Sequence, residues 1–267
     1  MSEPLGLIAG SGDTPALLAR EAESAGRRVV AVAFDNASVS ALEGTASETR
    51  LVGLGQAAKI MQTFRDAGVR DIAMIGKVDK RVLFKNPKID LRGVSILKKL
   101  AVGSDDTIMN GIVGELEKDG FRVVSQVELL KNLMPGTGVF SSRRPTEAEL
   151  ADIEFGMKMA KGIAALDIGQ TVVVKGMAVL AAEAIEGTDE AIERGSRIAG
   201  KGAVVCKVSK PNQDPRFDVP TVGVKTIEHM VKVKAAVLAI EAYETVVVNM
   251  DEVVALCDKH KISFVVA

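Results

Sequence analysis

Short apolar runs alternate with helical patterns through the first half of the chain, and this alternation restricts the fold more than any other feature. Leu5–Ala9, Arg28–Phe34, Thr49–Val52, Asp71–Ile75 and Phe121–Ser125 are rich in Val and Ile and have strand length. Helical patterns at Pro15–Ala25, Gln56–Ala67 and Asp105–Asp119 lie between them. Gly26, Gly68 and Gly120 each follow such a pattern, where a left-handed cap favours glycine. Strands separated by helices need crossovers, which place the strands in parallel. The expected fold class is α/β, with a Rossmann-like parallel-sheet domain over residues 1–130.

The stretch 131–145 holds Pro135, Gly136, Gly138, Ser141, Ser142, Arg143 and Arg144, and reads as a linker. Thr146-Glu-Ala-Glu149 then has the form of a capping box, opening a helix that runs to about Ala164. Strands are expected near Thr171–Val174, Met177–Ala182, Ala203–Val208, Thr221–Val224, Thr245–Asn249 and Ile262–Val266. Helices are expected at Asp189–Ile198, Ile227–Glu241 and Asp251–His260. Residues 146–267 thus form a second α/β domain, expected to be the catalytic one. A chain of 267 residues has room for both domains.

Composition narrows the function. A net charge of −1 gives no electrostatic basis for nucleic-acid binding, and one Tyr with no Trp gives no base-stacking platform. Cys206 and Cys257, with His229 and His260, lack the spacing of a zinc site. The cysteines read as buried, reduced thiols of a cytosolic protein. Met1-Ser-Glu-Pro lacks the basic and apolar regions of a signal peptide. The longest apolar stretch, 163–185, is broken by Asp167, Lys175 and Glu183, so a membrane span is not expected. The expected location is cytoplasmic, with peripheral contact at a membrane surface left open.

Gly6-Leu-Ile-Ala-Gly10-Ser-Gly12-Asp-Thr-Pro15 ends the first strand and opens a helix. Glycines permit a tight turn, and the helix start offers free N–H groups to a phosphate. Gly10, Ser11, Gly12 and Asp13 are therefore candidate binding residues, although an ordinary strand–helix turn has the same composition. Asp35, after the second strand, could contact a ribose, which keeps a nicotinamide-dependent reductase as an alternative. Lys77 follows the fourth strand in Gly76-Lys77-Val-Asp-Lys80-Arg81 and could meet a phosphate or merely face solvent. Gly103-Ser104-Asp105-Asp106 opens a helix and is explained by capping alone.

The second half carries the richer chemistry. Glu183 and Glu186 precede Gly187-Thr188-Asp189, and carboxylates at a strand end call for a wet face or a ligand. In a regular strand the two glutamates would face opposite sides, so sharing a site needs a bulge or turn after Glu183. Asp189 could equally cap the following helix. Lys207 and Lys210 can offset charge on a diphosphate, or can form a solvated edge. Asp218 stands two residues before Pro220, which pushes Val219 toward extended geometry. Arg216 and Asp218 would then project from one face of a stiff segment, and a surface pair between them is the plainer reading.

Taken in order, Gly6-Leu-Ile-Ala-Gly-Ser-Gly12, Leu166-Asp-Ile-Gly-Gln170, Glu186-Gly-Thr-Asp189, Lys210-Pro211 and Asp218-Val-Pro-Thr-Val-Gly223 resemble the LpxI type of UDP-2,3-diacylglucosamine pyrophosphatase. The resemblance implies a metal-dependent hydrolase of lipid A biosynthesis that converts UDP-2,3-diacylglucosamine to UMP and 2,3-diacylglucosamine 1-phosphate (lipid X). It implies a homodimer, substrate held by both domains, and magnesium or manganese as cofactor. The family's catalytic aspartate falls on Asp218. With that resemblance, the expected catalytic residues are Asp218, Asp189, Lys207 and Lys210. The expected substrate-binding residues are Gly10, Ser11, Gly12, Asp13, Lys77, Thr188 and Arg216, and the expected metal ligands are Asp218, Glu183 and Glu186. A non-catalytic nucleotide-sugar binding protein is the other alternative.

Overall fold

A computed structural model describes residues 3–78, 89–94 and 105–267, with only the helical backbone at Asp105 and Asp106. The Val-rich runs of the first half become β1 (Leu5–Ala9), β2 (Val29–Ala33), β3 (Glu48–Leu51), β4 (Asp71–Ile75) and β5 (Arg122–Val123). They pair in the order β3-β2-β1-β4-β5, parallel throughout. Every residue of β2 is buried, as expected of a strand covered on both faces. Helices α1 (Thr14–Ser24), α2 (Asn36–Ala41), α3 (Ala57–Asp66), α4 (Asp105–Lys118) and α5 (Gln126–Leu130) accompany this sheet. Phe64 of α3 meets Phe121 edge-on, with ring centroids 6.3 Å apart, in a core shared with Ile72, Leu116 and Phe217. This Rossmann-like unit comprises Met1–Leu130 together with Pro215–Phe217.

The second unit comprises Lys131–Asp214 and Asp218–Ala267. Its strands are β6 (Gly138–Val139), β7 (Thr171–Lys175), β8 (Ala178–Ala182), β9 (Val204–Lys207), β10 (Thr221–Val222), β11 (Val237–Ile240), β12 (Val246–Val247) and β13 (Ser263–Val266). Six of them form a mixed sheet in the order β6-β13-β11-β9-β7-β8, and β10 pairs with β12. β9, β11 and β13 run parallel, whereas β7 is antiparallel to both β8 and β9. Alternate residues serve opposite faces. Val172, Val174, Val204, Cys206, Val237 and Ala239 pack under α6 (Glu147–Ala165). Val173, Val205, Leu238, Ile240, Phe264 and Val266 pack against α7 (Thr188–Ala199), α8 (Val224–Lys232) and α9 (Met250–His260). The capping box at the start of α6 is present, with Thr146 and Glu149 each bonding the other's backbone N–H.

Two sequence expectations give way here. The helix expected over 227–241 ends at Lys232, Lys234 turns through a left-handed φ of +58°, and β11 follows. Ala235-Ala-Val-Leu-Ala-Ile is apolar at every position because β11 is buried on both faces, and that pattern lacks the period that separates strand from helix. The stretch 131–145 is not a free linker but part of the second unit. There β6 pairs with β13, Ser142 donates to Asp258 (2.6 Å from its N–H), and Ser141 accepts from the Phe264 N–H. Lys80, Arg81, Gly103 and Ser104 lie outside the described residues. Among the described residues no helix is long and apolar enough to cross a membrane.

Candidate functional site

The antiparallel placement of β7 between β8 and β9 decides which residues meet. Thr171 pairs with Lys207 and Val172 with Ala182, so the start of β7, the end of β8 and the end of β9 share one sheet edge. The ladder continues one step past the strands. Glu183 N–H donates to the Thr171 carbonyl (2.8 Å), and Val208 N–H donates to the Gln170 carbonyl (3.0 Å). The Gln170 N–H reaches the Glu183 carboxylate at 3.4 Å.

A continuous polar chain runs from this edge. Lys207 Nζ donates to Thr188 Oγ1 (2.9 Å), and that hydroxyl donates to Glu183 Oε1 (2.8 Å). Gln170 Nε2 lies 3.4 Å from Asp218 Oδ2, and Lys210 Nζ lies 3.5 Å from the same oxygen and 2.7 Å from Asp167 Oδ1. Lys207 is only 9% exposed, so its ammonium is held among these groups instead of reaching into solvent. Asp218 is more than half exposed.

Local backbone explains the arrangement. Gly187, at φ +89°, turns the chain from β8 into α7 and supplies no side-chain cap. The first turn of α7 therefore has no side-chain cap from residue 187, and the positive end of a helix beside the Lys207 ammonium is a setting that favours an anion. Asp218 and Asp167 are themselves left-handed, at φ +57° and +56°. For a non-glycine residue such a conformation costs about 1–2 kcal/mol, and Asp is among the residues that tolerate it. Both strained aspartates point at Lys210. The segment beyond Asp218 is anchored, because the Pro220 carbonyl accepts from Val246 N–H (2.8 Å) as β10 meets β12.

Other expected residues lie elsewhere. Glu186 turns to Arg194 (2.7 Å), and hydrogen bonds from backbone N–H groups, then the Arg194 guanidinium, hold its carboxyl below the ordinary glutamate value. Glu183 and Glu186 therefore do not share a site. Asp189 occupies the first turn of α7, 3.9 Å from His229 Nε2, but Gly187, not Asp189, is the N-cap. Arg216 groups with the first unit, reaching Asn110 Oδ1 (3.2 Å) and Glu117 Oε1 (3.4 Å). The left-handed turn at Asp218 breaks the extended geometry that would have set Arg216 and Asp218 on one face.

Gly10, Ser11, Gly12, Asp13 and Lys77 all belong to the first unit. Ser11 and Lys77 join by reciprocal backbone bonds of 2.8 and 2.9 Å, and the Ser11 hydroxyl adds a third at 3.0 Å. The Ser11 N–H is thus already used by protein. A Cβ at Gly10 would stand 2.6 Å from the Gly76 carbonyl carbon, so close packing demands glycine there. Asp13, the N-cap of α1, makes no side-chain cap. Asp35, the candidate ribose contact, instead caps α2 through the Ser38 N–H (2.7 Å).

Among the described residues no group of three His, Cys, Asp or Glu is placed to hold a metal ion. Magnesium commonly binds one or two carboxylates and takes its other ligands from phosphate and water. Asp218 suits that mode, whereas a protein cage of Asp218, Glu183 and Glu186 does not. Cys206 and Cys257 are buried, which pushes each thiol up to about 12 and leaves them inert. Gln170 and Asp167 were not anticipated as site residues. Both lie in Leu166-Asp-Ile-Gly-Gln170, a segment that carries part of the family resemblance, and that was the available signal.

Fold and site together define a two-unit α/β protein whose second unit brings Lys207 to the start of α7 and Lys210 to an exposed aspartate. Residues 4–133 match the LpxI N-terminal domain and residues 136–265 the LpxI C-terminal domain. The chain belongs to the LpxI family. It is 33% identical to the UDP-2,3-diacylglucosamine pyrophosphatase LpxI of Caulobacter vibrioides, over 95% of this chain and 94% of that one. Among solved structures it resembles the biotin carboxylase subunit of a pyruvate carboxylase (11% identity, 64% of this chain, 35% of that chain, TM-score 0.29). It also resembles an N5-carboxyaminoimidazole ribonucleotide synthetase in an ADP complex (14% identity, 72% and 44%, TM-score 0.27). Likenesses of that size bear on neither fold nor function.

Proposed function

We propose that the protein hydrolyses the pyrophosphate of UDP-2,3-diacylglucosamine, giving UMP and 2,3-diacylglucosamine 1-phosphate (lipid X) in lipid A biosynthesis. The observation that carries this reading is Asp218 beside Lys210, joined through Gln170, Glu183 and Thr188 to Lys207, in a chain of the LpxI family. Water adds to phosphorus as the bridging anhydride P–O bond breaks, and negative charge grows on the phosphate oxygens. Lys207, Lys210 and the N–H groups of α7 offset that charge, in an arrangement that exists before substrate arrives. Thr188 orients the Lys207 ammonium. Asp218 takes the proton of the attacking water.

A divalent cation, magnesium or manganese, would be held by Asp218 with substrate phosphate oxygens, where it supplies charge neutralisation and acidifies bound water. In the first unit, the start of α1 with Gly12 and Asp13 is the candidate contact for the nucleotide portion. The same reading takes the protein as a cytoplasmic homodimer that meets its lipid substrate at the membrane surface.

The test is UMP release from UDP-2,3-diacylglucosamine by purified protein with magnesium or manganese. Equimolar UMP and lipid X are expected, with loss of turnover on chelation and recovery on adding metal back. Binding of the lipid nucleotide without UMP in either metal would instead establish a nucleotide-sugar binding protein.

A further inference from the structure

Asp218 is exposed and sits on a left-handed backbone, so close packing does not fix its carboxylate. Polar neighbours must help to do so. Lys210 approaches Oδ2 and is itself drawn toward Asp167 at the shorter distance of 2.7 Å. The Gln170 amide approaches the same oxygen from the sheet edge.

Gln170 is unusually well placed for this. Its carbonyl accepts from Val208 N–H on the β9 side, and its own N–H points to Glu183 on the β8 side. The main chain at 170 is thus tied to both strands that flank β7. Gly169 adds a steric constraint, because a Cβ there would run into the Glu183 carbonyl oxygen. The loop can pass this close to Glu183 only with glycine at 169. A side chain leaving so fixed a main chain is a rigid arm, and its terminal NH2 donates without adding charge beside a carboxylate.

We propose that Gln170 is a positioning residue for the hydrolysis, orienting the Asp218 carboxylate through its side-chain amide while its main chain orients Glu183. The proposal rests on the pyrophosphatase reading and names a residue through which that site is held. Gln170 touches no reacting atom; it acts through Asp218.

The experiment compares Gln170→Met, which keeps length and removes the donor, and Gln170→Glu, which replaces the donor with a charge that repels Asp218, with wild type, Asp218→Asn and the double variant Gln170→Met/Asp218→Asn. Thermal melting of each variant establishes that it is folded, and Gln170→Glu stands in if Gln170→Met is not. The account expects kcat to fall about 10–100-fold in either Gln170 variant, the range usual for outer-shell partners of functional groups. KM should change less than about two-fold, because substrate binding is left intact. The double variant should lose no more than Asp218→Asn alone, since the two residues act as one unit.

Wild-type kcat in the Gln170 variants would overturn the proposal, as would a double variant whose loss is the product of the two single losses. A rise in KM with kcat unchanged would also overturn it, making Gln170 a binding residue. Wild-type protein that releases no UMP sinks the pyrophosphatase reading itself, and the positioning role with it. Wild-type turnover with unaffected Gln170 variants sinks the positioning role alone.

Discussion

Asp71 opens β4 and accepts guanidinium hydrogen bonds from Arg122 Nε (2.7 Å), Arg122 Nη2 (2.8 Å) and Arg27 Nη2 (2.6 Å). Arg122 is the largest influence on its carboxyl; burial opposes it, Arg27 reinforces it, and the net value lies below the ordinary aspartate range. A carboxyl whose folded value is depressed adds stability above its unfolded value, about 3.9, and that stability is lost as pH falls through the folded value. Asp71→Asn should therefore cost about 1.5–3 kcal/mol near neutral pH, the size of a charge-assisted hydrogen bond. Urea unfolding at pH 7 and pH 3 checks this, since the deficit should shrink at the lower pH. An equal deficit at both would assign the role to shape instead of charge. Residue identity alone could nominate Asp218, Lys207, Lys210 and Thr188 as chemistry-bearing. It could not reveal that Glu186 turns to Arg194 or that Arg216 turns to Glu117, because both choices depend on folded geometry.

At the scale of elements, helices α6 and α7 grip β7 and β9 through glycines. A Cβ at Gly156 would sit 2.5 Å from Cys206 Sγ, and one at Gly195 would sit 2.5 Å from Val173 Cβ. Overfilling such a contact forces the backbone apart, so Gly195→Ala should destabilise the protein by about 1–3 kcal/mol, measured by denaturant unfolding. Thr146→Ala, which removes the α6 cap, should cost about 1 kcal/mol in the same measurement. That capping box was legible in the sequence because its signal is local. So were β1, β4, β7 and β8, whose apolar runs end in turn residues. β11 was not legible, since full burial erased its period and the left-handed turn at Lys234 carries no glycine. The meeting of Gln170, Glu183 and Lys207 was hidden for a different reason. It depends on β7 lying antiparallel between β8 and β9, a pairing between segments distant in sequence.

At the scale of the molecule, the division of the chain is discontinuous. Pro215–Phe217 belong to the first unit, where the Pro215 carbonyl accepts from Gln126 N–H (2.7 Å) and Phe217 is buried among Val30, Phe64 and Phe121. Asp218, the next residue, belongs to the second unit. Phe217→Ala should therefore destabilise the first unit, by about 3–5 kcal/mol, and hydrogen exchange should show the loss in β1, β2 and β4. No composition shift marks this crossing, which is why the sequence reads as one linker, 131–145, between two continuous domains. The central claim concerns the residue just beyond it, and the rate of UMP release by Asp218→Asn measures that claim most directly. The account predicts a folded protein with wild-type melting temperature and a rate at least about a hundred-fold below wild type. Release at the wild-type rate would contradict it.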